Sequence, residues 1–68
     1  MNSRMEIMQA RMRQMLADDR NAMEIYSDLA GRCDVSELKV QLQGIAKDED
    51  RHMALSKEIL DILARYKT

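Results

Sequence analysis

The second half of the chain carries apolar residues at alternating steps of three and four, the spacing of one face of an α-helix. Between residues 36 and 66 this stripe consists of Leu38, Leu42, Ile45, Ile59 and Leu63. The same steps, counted through its middle, reach Glu49 and then His52. A carboxylate or an imidazole on a buried helix face costs free energy unless it is paired or coordinated. The stripe therefore predicts a helix whose inner face holds polar groups that need a partner.

The first half of the chain carries a second stripe of the same spacing, with one charged member. Its apolar positions are Met5, Met8, Met12, Met15, Ala22, Tyr26 and Leu29, widened by Leu16, Met23 and Ala30. Asp19 takes the position between Met15 and Ala22. The chain has no proline, only two glycines and two aromatic residues, so helices are favoured over strands. We therefore expect two long helices.

These two helices are predicted to form one helical hairpin, a single domain over residues 1–68. The expected elements are a helix at about 3–31, a turn at about 32–35 and a helix at about 36–66. Gly31 would end the first helix in the left-handed conformation, and Asp34 would cap the second one, with Glu37 three positions later. Gly44, inside the second helix, would mark a close backbone approach.

Folding this hairpin brings three polar residues to one height. Asp19 lies twelve residues before Gly31, or ~18 Å along the axis, and Glu49 lies thirteen residues past Ser36, or ~20 Å. His52 follows within one further turn. Carboxylates with an imidazole suit Fe(II), Fe(III) or Mn(II). We therefore predict a metal site formed by Asp19, Glu49 and His52.

A lone hairpin cannot cover its apolar stripes, whereas two hairpins packed face to face form a four-helix bundle with a proper core. Twofold symmetry would then unite two copies of the polar layer. The result, four carboxylates and two imidazoles, is the ligand set of a di-iron carboxylate site. The predicted fold class is thus all-α, an antiparallel helical hairpin that dimerises into a four-helix bundle.

Three segments of the chain together resemble the ferritin-like superfamily. They are residues 17–30, where an acid precedes Tyr26 by seven positions, residues 37–39, and residues 45–52, which contain Glu-x-x-His. Within that superfamily the chain is similar to single-hairpin proteins of the rubrerythrin and encapsulated-ferritin types. The similarity covers about residues 15–60.

The resemblance implies a ferritin-like bundle whose di-iron site is completed by dimerisation and oxidises Fe(II) with O2 or H2O2, as a ferroxidase does. It makes Asp19 the ligand of the first helix, Glu49 a bridging or chelating ligand and His52 the terminal ligand of each iron. These residues would be catalytic, with Tyr26 in the surrounding shell. The implied cofactor is iron, two ions per dimer, with manganese or zinc as alternatives. The family usually has Glu where this chain has Asp19, which shortens the reach by roughly 1.5 Å.

Charge and composition limit the expected partners. The net charge is −1, without a basic block for nucleic acid or a membrane surface, and no apolar run has membrane-spanning length. There is no apolar core of a signal peptide, and the single cysteine, Cys33, agrees with a reducing compartment. We expect the cytoplasm, or the inside of a protein compartment, as the location. The expected partners are a second copy of the chain and metal ions.

Two other functions stay open from the sequence alone. The polar layer could only set the register of a non-catalytic helical dimerisation module. It could also hold a redox-inert ion such as zinc. The chain has seven methionines, which suggest copper, but the regular stripe spacing of Met5, Met8, Met12 and Met15 favours packing.

Overall fold

The computed structural model describes residues 3–66, which form two antiparallel α-helices packed against each other. Helix α1 spans Arg4–Arg32 and helix α2 spans Ser36–Arg65, with three residues between them. Helix α1 begins and ends one residue later than predicted, and α2 ends one residue earlier. Residues 1, 2, 67 and 68, at the two ends of the predicted domain, lie outside the described range.

Neither helix of residues 3–66 is both long and apolar enough to cross a membrane.

The start of α1 has a cap that the sequence analysis did not use. The Ser3 hydroxyl oxygen accepts a hydrogen bond from the backbone N–H of Glu6 at 3.2 Å. The same hydroxyl lies 3.4 Å from Oε1 of Glu6, to which it donates. This Ser-x-x-Glu arrangement is a variant of the capping box and satisfies one of the free N–H groups of the first turn.

The predicted end of α1 at a left-handed Gly31 is wrong. The helix continues through Gly31 to Arg32 and ends at Cys33, which has an extended backbone. Neither glycine has a positive φ. The last turn is held instead by the ion pair of Arg32 with Asp28, at 3.0 Å, and by the Cys33 N–H bound to the carbonyl of Ala30.

The predicted cap of α2 is also wrong. The N-cap is Val35, whose side chain cannot accept a hydrogen bond, and Asp34 lies one residue outside the helix. The Val35 carbonyl accepts from the N–H of Lys39 at 2.9 Å, so the helix already begins beyond the reach of the Asp34 carboxylate. This helix start consequently has no side-chain cap.

The two helices face each other along a seam whose members recur at steps of three and four. On α1 the buried or half-buried members are Gln9, Met12, Leu16, Asp19, Met23, Tyr26 and Ala30. On α2 they are Leu42, Ala46, Glu49, Met53, Ser56, Leu60 and Leu63. This is the heptad spacing of helices that pack side by side. The seam therefore holds Asp19 and Glu49 on the inner side of the hairpin.

The predicted stripes are wider than this seam, and half of their members are exposed. We call these exposed members the apolar flank; they are Met8, Met15, Leu29, Leu38, Ile45 and Ile59, with exposed fractions between 38% and 54%. On each helix they lie seven or fourteen residues apart, so they form one line along it. Met15 and Ile59 line one groove, which places the two lines on the same side of the hairpin. The expectation that a lone hairpin leaves part of its apolar stripes uncovered is confirmed, because one partner helix covers only one edge of each stripe.

The shape of the chain also shows that the hairpin buries little of itself. Its Cα atoms extend over 51 × 18 × 11 Å, a layer two helices wide and one helix thick. The radius of gyration is 15.6 Å, against roughly 11 Å for a compact domain of this length. The accessible surface is 5527 Å², against about 4,400 Å² for a folded monomer of this size. No side chain of the described residues is completely buried.

The surroundings of Gly44 on α2 are open, and this leads to a first testable prediction. A Cβ built at Gly44 meets nothing within 4 Å, so the predicted close backbone approach is absent. Because Gly44 is in the interior of α2, Gly44→Ala is expected to stabilise the fold by about 1 kcal/mol. Thermal unfolding followed by circular dichroism measures this gain. The control, Gly31→Ala in the last turn of α1, should gain less because helix ends fray; a destabilised Gly44→Ala would contradict the open surroundings.

Candidate metal centre

Three of the residues singled out in the sequence lie together in the middle of the hairpin. Asp19, Glu49 and His52 each offer one ligand atom, and these atoms all lie within 4.8 Å of one another. Asp19 comes from α1, and Glu49 and His52 come from α2. The structure therefore brings the two carboxylates and the imidazole to one height, as the helix rise predicts.

The three side chains differ in their exposure because they lie on different lines of the helices. Asp19 and Glu49 belong to the seam and are half-buried. His52 is exposed, and it lies seven residues after Ile45 and seven before Ile59, on the line of the apolar flank. The cluster thus begins inside the seam and opens towards the flank through His52.

One carboxylate oxygen of Glu49 is buried without a hydrogen-bond partner among the described residues. This atom, Oε2, is inaccessible to solvent. Within residues 3–66, neither Asp19 nor Glu49 lies within 4.0 Å of a lysine or arginine nitrogen. A buried acceptor without a partner destabilises the fold, and such atoms are rare in folded proteins. A proton, a cation or a hydrogen-bond donor from outside the described residues would satisfy this oxygen.

The electrostatics of the cluster strengthen the binding of a proton by Glu49 relative to an ordinary glutamate. The pKa of Glu49 is raised, chiefly because its protonated form can share a hydrogen bond with the Asp19 carboxylate. Removal from water and the negative charge of Asp19 act in the same direction; Asp48 adds a smaller contribution. The imidazole of His52 opposes the shift. When both carboxylates are ionised neither can donate, which is why Oε2 of Glu49 then lacks a partner.

The donor set fits a divalent cation. Two ligand atoms on opposite sides of one ion, each at ~2.0–2.2 Å, are separated by ~4 Å. The three ligand atoms lie within 4.8 Å of one another, so the side chains would have to move closer together to bind one ion. Two carboxylates and one imidazole from a single chain leave several coordination positions open.

Tyr26, which was predicted to lie in the shell around the three ligand residues, is separated from them along α1. It is half-buried in the seam of α1, seven residues after Asp19, which is ~10 Å along the helix towards the turn. A direct contact between Tyr26 and the cluster is not part of the described geometry. Its role in the shell around the ligands stays a prediction.

The structure adds a groove to the site that the sequence analysis did not single out. Beside Asp19 and His52 it is lined by Met12, Met15, Leu55, Ser56 and Ile59. The signal was present in the spacing, because Met12 and Ser56 lie seven residues from Asp19 and Glu49 respectively. The groove lies next to the cluster, and Met15 and Ile59 of the apolar flank are among its lining residues.

No protein-family model, curated protein or solved structure matches the chain at the level that would show a relationship.

Proposed function

We propose that this chain is a metal-binding helical hairpin that pairs with a second copy to complete a two-metal carboxylate centre. The particular activity that we propose is ferroxidase-like, the oxidation of Fe(II) by O2 or H2O2, in line with the resemblance to the ferritin-like superfamily. The observation that carries the proposal is the unpartnered, buried Oε2 of Glu49 beside Asp19 and His52.

The proposed pairing is supported by the apolar flank. Its six exposed residues lie on one side of the hairpin, the side to which His52 belongs. The surface in excess of a compact monomer, about 1,100 Å² from the areas given above, is of the size that protein interfaces bury per chain. The cluster lies near the middle of both helices, so a twofold axis either along or across the hairpin would bring two copies of it to one height.

The ligands of such a pair suit two divalent ions. Four carboxylates from two copies of Asp19 and Glu49 balance the charge of two Fe(II) ions, and each copy of His52 adds a neutral nitrogen. Two Fe(II) substrates supply two electrons, which with two protons reduce O2 to H2O2, or H2O2 to two molecules of water. In this arrangement Glu49 binds from the inner side and His52 from the exposed edge. Asp19, one methylene shorter than Glu, would hold its ion more loosely.

Two measurements test the proposal. Mn(II) or anaerobic Fe(II) should raise the melting temperature of the wild type. At an ion concentration a hundred times the dissociation constant, binding adds ~2.7 kcal/mol to the free energy of unfolding. The gain should be absent in His52→Ala and retained in Asp50→Asn, an exposed acid of the same helix segment. Fe(II) should also cause oxygen consumption by the wild type. Metal-induced stabilisation with oxygen consumption at the buffer rate would reduce the function to redox-inert metal binding.

A second candidate is a dimerisation module whose polar layer sets the register. The raised pKa of Glu49 favours it, because a proton shared with Asp19 would satisfy the layer without a metal. In that case metals leave the melting temperature unchanged. The double variant Glu49→Leu with His52→Leu would then be as stable as the wild type or more stable.

A further inference from the structure

The groove beside the cluster contains a different set of ligands from the carboxylate centre. Met12 and Met15 are three residues apart on α1, so their side chains lie on the same side of that helix. Both line the groove together with His52 of α2. Two thioether side chains and one imidazole side chain therefore line a single groove.

The packing role expected for these methionines accounts for only part of what is observed. Met15 is 54% exposed and Met8, two turns away, is also exposed, so neither fills the core of the hairpin. The groove is otherwise lined by apolar side chains, Ser56 and Asp19. An apolar groove with soft sulfur donors disfavours strongly hydrated, hard cations.

We propose that Met12, Met15 and His52 form a binding site for Cu(I). Thioether and imidazole ligands select soft, monovalent copper, whereas carboxylates suit harder ions such as Mn(II) and Fe(II). All three ligands come from one chain, so the site requires neither the second copy nor the carboxylates of the centre described above. The two sites share His52, and occupation of one excludes the use of that imidazole by the other.

The test is an anaerobic titration with Cu(I), supplied as its acetonitrile complex, in competition with a chromogenic Cu(I) chelator. The wild type should bind one Cu(I) per chain, and X-ray absorption should show sulfur neighbours. Met12→Leu with Met15→Leu, which keeps apolar side chains of similar volume, should weaken binding at least about tenfold, and His52→Ala should weaken it likewise. The matched control is Met5→Leu with Met23→Leu, two methionines outside the groove, and it should bind as the wild type does.

A further variant separates this proposal from the carboxylate centre. Glu49→Gln should keep its affinity for Cu(I) while losing the stabilisation by Mn(II). Copper binding that survives the loss of Met12 and Met15, or that falls equally in the Met5 and Met23 control, would overturn the copper site and leave the carboxylate centre untouched. If Cu(I) binds normally and Mn(II) does not stabilise the protein, the carboxylate centre is overturned and the copper site is retained.

Discussion

Ile59→Lys is expected to separate the proposed pair of chains into single hairpins. Ile59 lies on the apolar flank and lines the groove with Met15 and His52, so in the proposed pair its side chain would be covered. A charge without a partner in an interface costs ~2–5 kcal/mol, which weakens pairing by roughly thirtyfold or more. Sedimentation or light scattering across a concentration series measures this change. Circular dichroism should still show two helices, because Ile59 is not part of the seam.

The matched control for this variant is Val40→Lys. Val40 is also an exposed apolar residue of α2, but its line along the helix continues through Lys47 and Ala54 rather than through the flank. This variant should pair as the wild type does. The stabilisation by Mn(II) should survive in Val40→Lys and decline in Ile59→Lys, because in the proposed pair half of the ligands would come from the partner copy. Equal solution masses for all three proteins would rule out the flank as the interface.

Glu49→Gln is expected to stabilise the metal-free protein at neutral pH and to abolish its response to metal. The pKa of Glu49 is raised above its ordinary value of 4.5, so folding favours the protonated carboxyl. The corresponding stability is fully present below the unfolded pKa and is lost as the pH rises through the raised folded pKa. Glutamine stays neutral and can donate to Asp19 at every pH. The variant should therefore melt higher than the wild type at pH 7, and the difference should vanish in acid.

The order of stability should reverse when Mn(II) is added. The wild type gains the binding free energy of the ion, whereas glutamine offers no negative charge to it. Glu58→Gln, an exposed acid on the same helix, is the control and should follow the wild type in both conditions. If Glu49→Gln is less stable than the wild type without metal at pH 7, the electrostatic account of the cluster is wrong.

The ends of the helices show the limits of local sequence rules. Gly31 and Asp34 are residue types that commonly end and begin helices, and both predictions failed by one or two residues. Helix α1 continues past the glycine to Arg32, which pairs with Asp28, and α2 has Val35 as its N-cap without a side-chain cap. Such boundaries depend on small free-energy differences between adjacent turns, which residue preferences alone do not resolve.

The sequence by itself determined the two helices and the common height of Asp19, Glu49 and His52, because helical periodicity and rise depend only on the positions of residues along the chain. The tertiary structure decided which edge of each apolar stripe faces the other helix. It placed Ala46 and Met53 in the seam and left Ile45 and Ile59 on the flank. Both edges of a stripe are apolar, so only the packing of the side chains of the two helices against each other distinguishes them. That choice left Glu49 half-buried and His52 exposed, and it joined Met12 and Met15 to the same groove.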